Sequence, residues 1–233
     1  MGDEERIQLD QDVRTLYDIF LALCRQQSHF WFRPRPGQEP PRQAFEVWDV
    51  LKDLDQWTPI REEELERIFM CGSTNVVNFA GLNRVLYLPP LHHHDNDCVP
   101  VLSLECDRNN ADNLKLSFML VRDDEAEKRL VGIGFRMEKG TGEHRFYHAQ
   151  LIRNFRGSNV EGDCVECLRW LPDTQPSLPI WAVSSVTLLL CTLVSIYGLD
   201  RCRELIDEIG QVHSLPMHLR QFDEWFPQKR EER

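Results

Sequence analysis

The stretch IWAVSSVTLLLCTLVSIYGL, residues 180–199, is the most apolar window of the chain. No charged residue occurs between Asp173 and Asp200, and an uncharged run of about 18 residues or more is a transmembrane candidate. However, the run contains five Ser and Thr residues, and its downstream flank mixes acids with bases instead of forming a basic cluster. We therefore predict that residues 180–199 form a core helix, buried on nearly all sides, and that the chain has no membrane span.

The length and composition are those of a globular protein. The chain has 233 residues, of which 42% are hydrophobic and 28% are charged. The sequence predicts a single α+β domain over residues 1–233. The N-terminus MGDEERIQLD is acidic and polar, unlike a secretion leader, so we expect a cytoplasmic location in which the eight cysteines are mostly free thiols.

The net charge of −11 is unevenly distributed along the chain. Residues 107–156 contain ten Lys and Arg against eight Asp and Glu, a net charge of +2, whereas the segments on both sides are acidic. Binding to nucleic acid depends mainly on neutralising phosphates with Lys and Arg. The acidic balance therefore makes nucleic acid an unlikely partner.

The first part of the chain, residues 1–90, has the apolar periodicity of helices. It predicts one helix from Asp10 to about Gln26, capped by Asp10 or Asp12, and a second over 43–56. A third helix is expected to start at Thr58-Pro59, and a fourth to span 75–86.

Between residues 91 and 156 the apolar period changes towards two. Apolar alternation predicts strands over 99–106, 114–122, 130–138 and 144–153, joined by short polar connections. We therefore expect a four-stranded antiparallel meander, packed with the helical N-terminal half and covered by the buried C-terminal helix. Residues 157–233 are expected to supply a loop and the C-terminal helices.

Two short motifs resemble halves of a metal site. His92 and His94 alternate in the run LHHHDNDC, and Cys164 and Cys167 have the C-x2-C spacing of half a zinc knuckle. A single pair without a matching second pair is a weak signal. We therefore expect no bound zinc and no cofactor.

The fourth predicted strand contains the best candidates for catalysis. Alternation places His144, Phe146, His148 and Gln150 on one face, and Arg145, Tyr147 and Ala149 on the other. His148, with His144 or Tyr147 as further candidates, is suited to general acid–base work. Hydrogen-bonded histidines of the core or of a sheet edge are the alternative interpretation.

The basic middle segment suggests a place for a partner. Arg136, Arg145, Arg153 and Arg156 are expected near one another, where an acidic or phosphate-bearing partner could dock. Internal neutralisation by Glu138 or Glu143 is the alternative.

No Walker loop, dinucleotide fingerprint, nucleophile elbow, H-E-x-x-H motif or kinase signature is present. The leading hypothesis is a non-enzymatic intracellular subunit with an interaction or regulatory role, whose partner is another protein. The alternative is a hydrolase or nuclease that uses the histidines at 92–94 or on the strand 143–153.

Overall fold

A computed structural model defines the architecture. It describes residues 10–27, 58–71, 74–79, 84–89, 91–93, 96–124, 129–140, 146–152, 154–155, 165–166, 178–180, 182, 184–198 and 202. These residues form an α+β structure, which confirms the predicted fold class.

Three helices are described: α1 (Gln11–Gln27), α2 (Glu62–Met70) and α3 (Ser185–Tyr197). The α1 prediction is confirmed, including its cap, since Asp10 Oδ1 accepts hydrogen bonds from the N–H groups of Asp12 and Val13. In α2 the Glu64 carboxylate accepts a hydrogen bond from the N–H of Arg61, the residue before the helix.

The described strands number eleven. They are β1 (Thr58–Pro59), β2 (Val76–Asn78), β3 (Arg84–Tyr87), β4 (Leu91–His93), β5 (Asn96–Asp107), β6 (Asn110–Asp124), β7 (Arg129–Lys139), β8 (Tyr147–Ile152), β9 (Asn154–Phe155), β10 (Val165–Glu166) and β11 (Leu178–Ile180). The central path is β1-β3-β5-β6-β7-β10-β9, and the other four strands pair at its sides.

Most strand pairs in this sheet are antiparallel, and two are parallel. The long strands β5, β6, β7 and β8 pair antiparallel in chain order. The parallel pairs are β1 with β3 and β10 with β7. The predicted four-stranded meander was therefore wrong as a description of the sheet, which is larger and mixed.

The expected helical N-terminal half was also wrong in part. Residues 75–86 were predicted as a helix, but Val76–Asn78 and Arg84–Tyr87 are strands that pair with β5. Valines at 76, 77 and 85 and a glycine at 81 favour extended backbone over helix, and β5 supplies the partner edge. Thr58 and Pro59 likewise form β1 instead of starting the third helix.

One face of the sheet packs against the helices. Leu104, Leu116, Met137 and Ala149 lie side by side across β5–β8 and are buried in the same cluster as α1 and α3. This face is apolar at every second residue, whereas the residues between point to the other face. On the opposite face Val99, Val101, Met119 and Val121 are buried. The part of that face around Glu105, Lys115 and Glu138 is polar, and we call this part the polar face.

The C-terminal core helix is shorter than predicted. Residues 178–180 form β11, and α3 begins at Ser185 and ends before Gly198, whose φ of 77° suits glycine. Leu188, Leu189 and Leu193 of α3 are fully buried. None of the described helices is long and apolar enough to cross a membrane.

Candidate functional site

A row of polar side chains crosses the polar face of the sheet. Asn78 of β2 pairs with Glu105 of β5, which pairs with Lys115 of β6, then Glu138 of β7 and His148 of β8. We call these five residues the polar row. Because neighbouring strands lie about 4.8 Å apart, the row spans about 19 Å of the sheet.

Contacts between neighbours hold the polar row together. Asn78 Nδ2 donates to Glu105 Oε2 at 2.9 Å, and Lys115 Nζ lies 2.7 Å from Glu105 Oε1. Further along, His148 Nε2 lies 3.6 Å from Glu138 Oε1. Charges therefore alternate over the middle of the row, at Glu105, Lys115 and Glu138, as cross-strand pairing favours.

Four residues of the polar row, Glu105, Lys115, Glu138 and His148, line an open cleft of about 920 Å³. The two largest exposed apolar side chains of its lining are Val76, 49% exposed, and Phe146, 42% exposed. The remaining described lining is Cys106, Asp107, Asn113, Leu114, Lys139, Gly140 and Gln150. The cleft thus combines paired charges with exposed apolar contacts, a mixture that protein interfaces share.

His148 lies in this cleft with little exposure to solvent. Its side chain is buried, at 7% exposure, and its ring meets the Phe146 ring edge-on at 6.2 Å between centroids. Within the described part of the chain, its Nδ1 atom has no hydrogen-bond partner. Phe146, His148 and Gln150 all line the cleft, on the side of the strand where alternation placed them.

Tyr147, the other described candidate on this strand, faces the core. Its hydroxyl lies 3.1 Å from Ser185 Oγ and 3.4 Å from Asp112 Oδ1. Burial raises the pKa of Tyr147 to about 12. This hydroxyl connects the sheet to the first turn of α3, and Tyr147 is not among the described residues that line the cleft.

Arg136 is half-exposed on the polar face and precedes Glu138 by two residues on β7. Its Nη2 atom donates to Gln150 Oε1 at 2.7 Å and lies 3.2 Å from Glu138 Oε1. Antiparallel pairing does bring Arg136 beside β8, opposite Gln150. The guanidinium is therefore paired with Glu138 and still partly accessible, and a role of Arg136 in partner binding stays a prediction.

Several sequence candidates lie outside the described residues. They are His94, His144, Arg145, Arg153, Arg156, Cys164 and Cys167. His92 belongs to β4, but its side chain is not described. Among the described residues, no group of three or more metal-binding side chains occurs.

The sequence pattern alone does not identify Glu105 and Lys115 as site residues. Each is a charged residue within an alternating strand, which is the ordinary pattern of a solvent-facing position. Only the register, which places Glu105 opposite Lys115 and Lys115 opposite Glu138, shows that they share a site with His148.

Thiol chemistry in the cleft is disfavoured. Burial raises the pKa of the Cys106 thiol to about 12, so the reactive thiolate is scarce at neutral pH. None of the six described cysteines forms a disulfide, and they are Cys24, Cys71, Cys98, Cys106, Cys191 and Cys202.

No family model, curated protein or solved structure matches this chain. The functional conclusion therefore depends on the cleft itself.

Proposed function

We propose that this protein is a non-enzymatic intracellular subunit with an interaction or regulatory role, and that a partner protein binds in the cleft. The observation that carries the proposal is that exposed Val76 and Phe146 line the same cleft as the charged and polar side chains of the polar row. Exposed apolar side chains rimmed by polar groups are a feature of protein-binding surfaces.

The composition of the cleft supports binding over catalysis. Its described lining contains no serine or threonine hydroxyl, and its one described thiol has a raised pKa. Lys115 Nζ and Lys139 Nζ each lie within 2.7 Å of a carboxylate oxygen. Both ammonium groups are therefore already paired and are not free to stabilise a negative charge on a substrate.

Site-directed photo-crosslinking in the native host tests the proposal. A crosslinking residue in place of Phe146 should capture a discrete protein, and Val76→Glu on the opposite wall should abolish that product. The same residue in place of Ile133, an exposed apolar side chain (37%) outside the described cleft lining, is the matched control. The proposal fails if Phe146 yields no product, or if Val76→Glu leaves the product unchanged in a folded protein.

A second candidate function, a hydrolase or nuclease, is favoured by one specific observation. His148 Nε2 lies 3.6 Å from Glu138 Oε1, and an imidazole oriented by a carboxylate is a common general base. Turnover of ester, phosphodiester and nucleic-acid substrates by the wild-type protein, lost in His148→Gln with unchanged unfolding free energy, would support this candidate. Equal turnover by both proteins would refute a catalytic role for His148.

A further inference from the structure

The described lining of the cleft has more acidic than basic side chains. Its three carboxylates oppose two ammonium groups, which gives a net charge of −1 with His148 neutral (two positive, three negative). They are Glu105, Asp107 and Glu138 against Lys115 and Lys139. Because the whole chain has a net charge of −11, the field of the molecule and the charge of the cleft both favour a positively charged ligand.

The unbalanced charge of the lining lies at Asp107. The other four charged side chains of the lining each have an ion-pair partner, in the pairs Glu105–Lys115, Glu138–Arg136 and Lys139–Asp112. Asp107 Oδ1 accepts a hydrogen bond from the Asn109 N–H at 2.8 Å, but among the described residues no Lys or Arg forms an ion pair with this carboxylate. Asp107 is therefore the position in the cleft at which a cation of a ligand gains an ion pair without breaking one.

An exposed apolar side chain lies directly beside this carboxylate. Val76 of β2 is opposite Asp107 of β5, and both line the cleft. The Arg108 N–H donates to Asn75 O at 2.7 Å, one residue beyond this pair. The pair is therefore not itself hydrogen-bonded, and in such pairs the side chains approach most closely. Val76 is 49% exposed and Asp107 is half-buried, so one end of the cleft offers an apolar contact and an unpaired carboxylate to the same ligand.

The second exposed apolar side chain of the lining, Phe146, lies at the other end of the cleft. Asn78 and His148 are the two ends of the polar row, and Val76 and Phe146 each lie two residues away, on the same side of the row. The four strand spacings from β2 to β8 separate them by about 19 Å. An extended peptide rises about 3.3 Å per residue, so about six residues connect the two contacts.

We infer that the cleft binds a basic, extended segment of a partner protein, in which a Lys or Arg pairs with Asp107. An apolar side chain two residues from that Lys or Arg packs on Val76, and a second apolar side chain, about six residues from the first, packs on Phe146. The inference rests on the proposed function and adds the chemistry of the partner. An acidic segment is disfavoured because Asp107 repels it and both lysines of the lining are already paired.

Titration of the isotope-labelled full chain with the peptide LGKGSGF tests the inference. The first, third and seventh residues of this peptide share one face when it is extended, and acetyl and amide ends leave the lysine as its one charge. Binding should shift the backbone amide resonances of Val76, Asp107 and Phe146. The neutral peptide LGQGSGF should bind about twofold to fivefold more weakly, the range of one accessible ion pair, and the acidic peptide LGEGSGF more weakly still.

Two variants locate the charged contact. Asp107→Asn keeps a side-chain oxygen for the Asn109 N–H and should abolish the preference for LGKGSGF over LGQGSGF. Glu63→Gln removes one negative charge from the exposed side of α2, outside the cleft lining, and should retain the preference. Two peptides compared on two proteins separate this one contact from general effects on fold or net charge.

A shorter peptide tests the spacing on the wild-type protein alone. In LGKGF the two apolar residues are four positions apart, about 13 Å when extended, so the peptide is too short to reach both ends of the cleft. It should still shift the amides of Val76 and Asp107 but leave that of Phe146 in place.

The inference is overturned if LGQGSGF or LGEGSGF binds the wild-type protein as tightly as LGKGSGF, or if the preference for lysine persists in Asp107→Asn. Absence of binding, or shifts confined to amides outside the cleft, also overturns it. An acidic partner segment crosslinked at Phe146 would refute the basic ligand and leave the proposed function standing. Absence of any crosslink at Phe146 would refute the proposed function itself.

Discussion

Arg108 is a buried arginine at the turn between β5 and β6. Its guanidinium donates to Ile68 O at 2.6 Å, to Cys71 O at 2.9 Å and to Thr74 O. Burial lowers the pKa of this guanidinium. Ile68 and Cys71 lie at the C-terminal end of α2, where carbonyl groups lack helical partners and the helix dipole is negative. Arg108 therefore connects the β5–β6 turn to the C-terminal end of α2 through hydrogen bonds.

Replacing Arg108 should destabilise the fold strongly. In Arg108→Met the buried carbonyl groups lose their donors, and we expect the free energy of unfolding to fall by about 1–3 kcal/mol. Urea denaturation measures this loss. Arg25→Met, which removes an exposed arginine paired with Glu62, should cost less than about 1 kcal/mol. Equal losses in the two variants would contradict the structural role of Arg108.

Glu64 connects α2 to β3 through a charged contact. Its Oε1 accepts hydrogen bonds from Arg84 Nε at 3.0 Å and Nη2 at 2.9 Å. Burial opposes ionisation of this carboxyl, but the hydrogen bonds from Arg84 and from the Arg61 N–H outweigh it, so the pKa of Glu64 is lowered.

This shift predicts a pH dependence of stability. A carboxyl group whose pKa is lower in the folded protein than in the unfolded chain stabilises the fold. The stabilisation is fully present above the ordinary pKa of 4.5, and it is lost as the pH falls through the folded-state pKa. Glu64→Gln should therefore cost about 1 kcal/mol at neutral pH and progressively less in acid. Unfolding free energies of wild type and variant, measured across this range, check the sign. Glu63→Gln, on the exposed side of α2, is the control.

At the scale of elements, α3 depends on a reciprocal cap. Ser184 Oγ accepts from the Thr187 N–H at 3.2 Å, and Thr187 Oγ1 accepts from the Ser184 N–H at 2.8 Å. The helix has no acidic residue in its first turn and no basic residue in its last turn. The N-terminus of α3 is therefore stabilised by these two hydrogen bonds and not by charged side chains that interact with the helix dipole.

Removal of the cap should weaken α3 measurably. Ser184→Ala should lower the free energy of unfolding by about 1 kcal/mol, since the first-turn N–H loses its acceptor. Ser195→Ala removes an exposed hydroxyl that donates to Cys191 O within the same helix, and should change stability by less than about 0.5 kcal/mol. Thermal or urea unfolding compares them, and a larger effect at Ser195 would refute the capping role.

The long strand β5 explains why three short strands form where they do. Along one edge it pairs in turn with β4, β3 and β2, while β6 occupies its other edge. Very short strands are not stable alone, so their backbone conformation depends on an available partner. β5 therefore provides the hydrogen-bonding edge for short strands on both sides of residue 90.

At the scale of the whole molecule, the zinc hypothesis remains a prediction. It would require His92 and His94 to meet Cys164 and Cys167, and we expect that they hold no stoichiometric metal. Elemental analysis of the purified chain should detect no zinc, and a chelator should leave the melting temperature unchanged. Stoichiometric zinc that is lost in Cys164→Ser would contradict this expectation.

Local patterns were enough to predict several features. The 3.6-residue period and Asp10 identify α1 and its cap, and the two-residue period separates Phe146, His148 and Gln150, at and just before β8, from Tyr147. These features depend on residues a few positions apart, so their physical cause is contained in a short stretch of chain.

Only the tertiary structure decided the register of the sheet and the extended conformation of Val76–Asn78 and Arg84–Tyr87. The polar row joins Glu105, Lys115, Glu138 and His148 through pairings that no single strand specifies, and β2 and β3 are extended because β5 provides their hydrogen-bond partners. Periodicity shows which face a residue occupies, but not which residue lies opposite. That choice depends on contacts between distant parts of the chain, which local propensity does not encode.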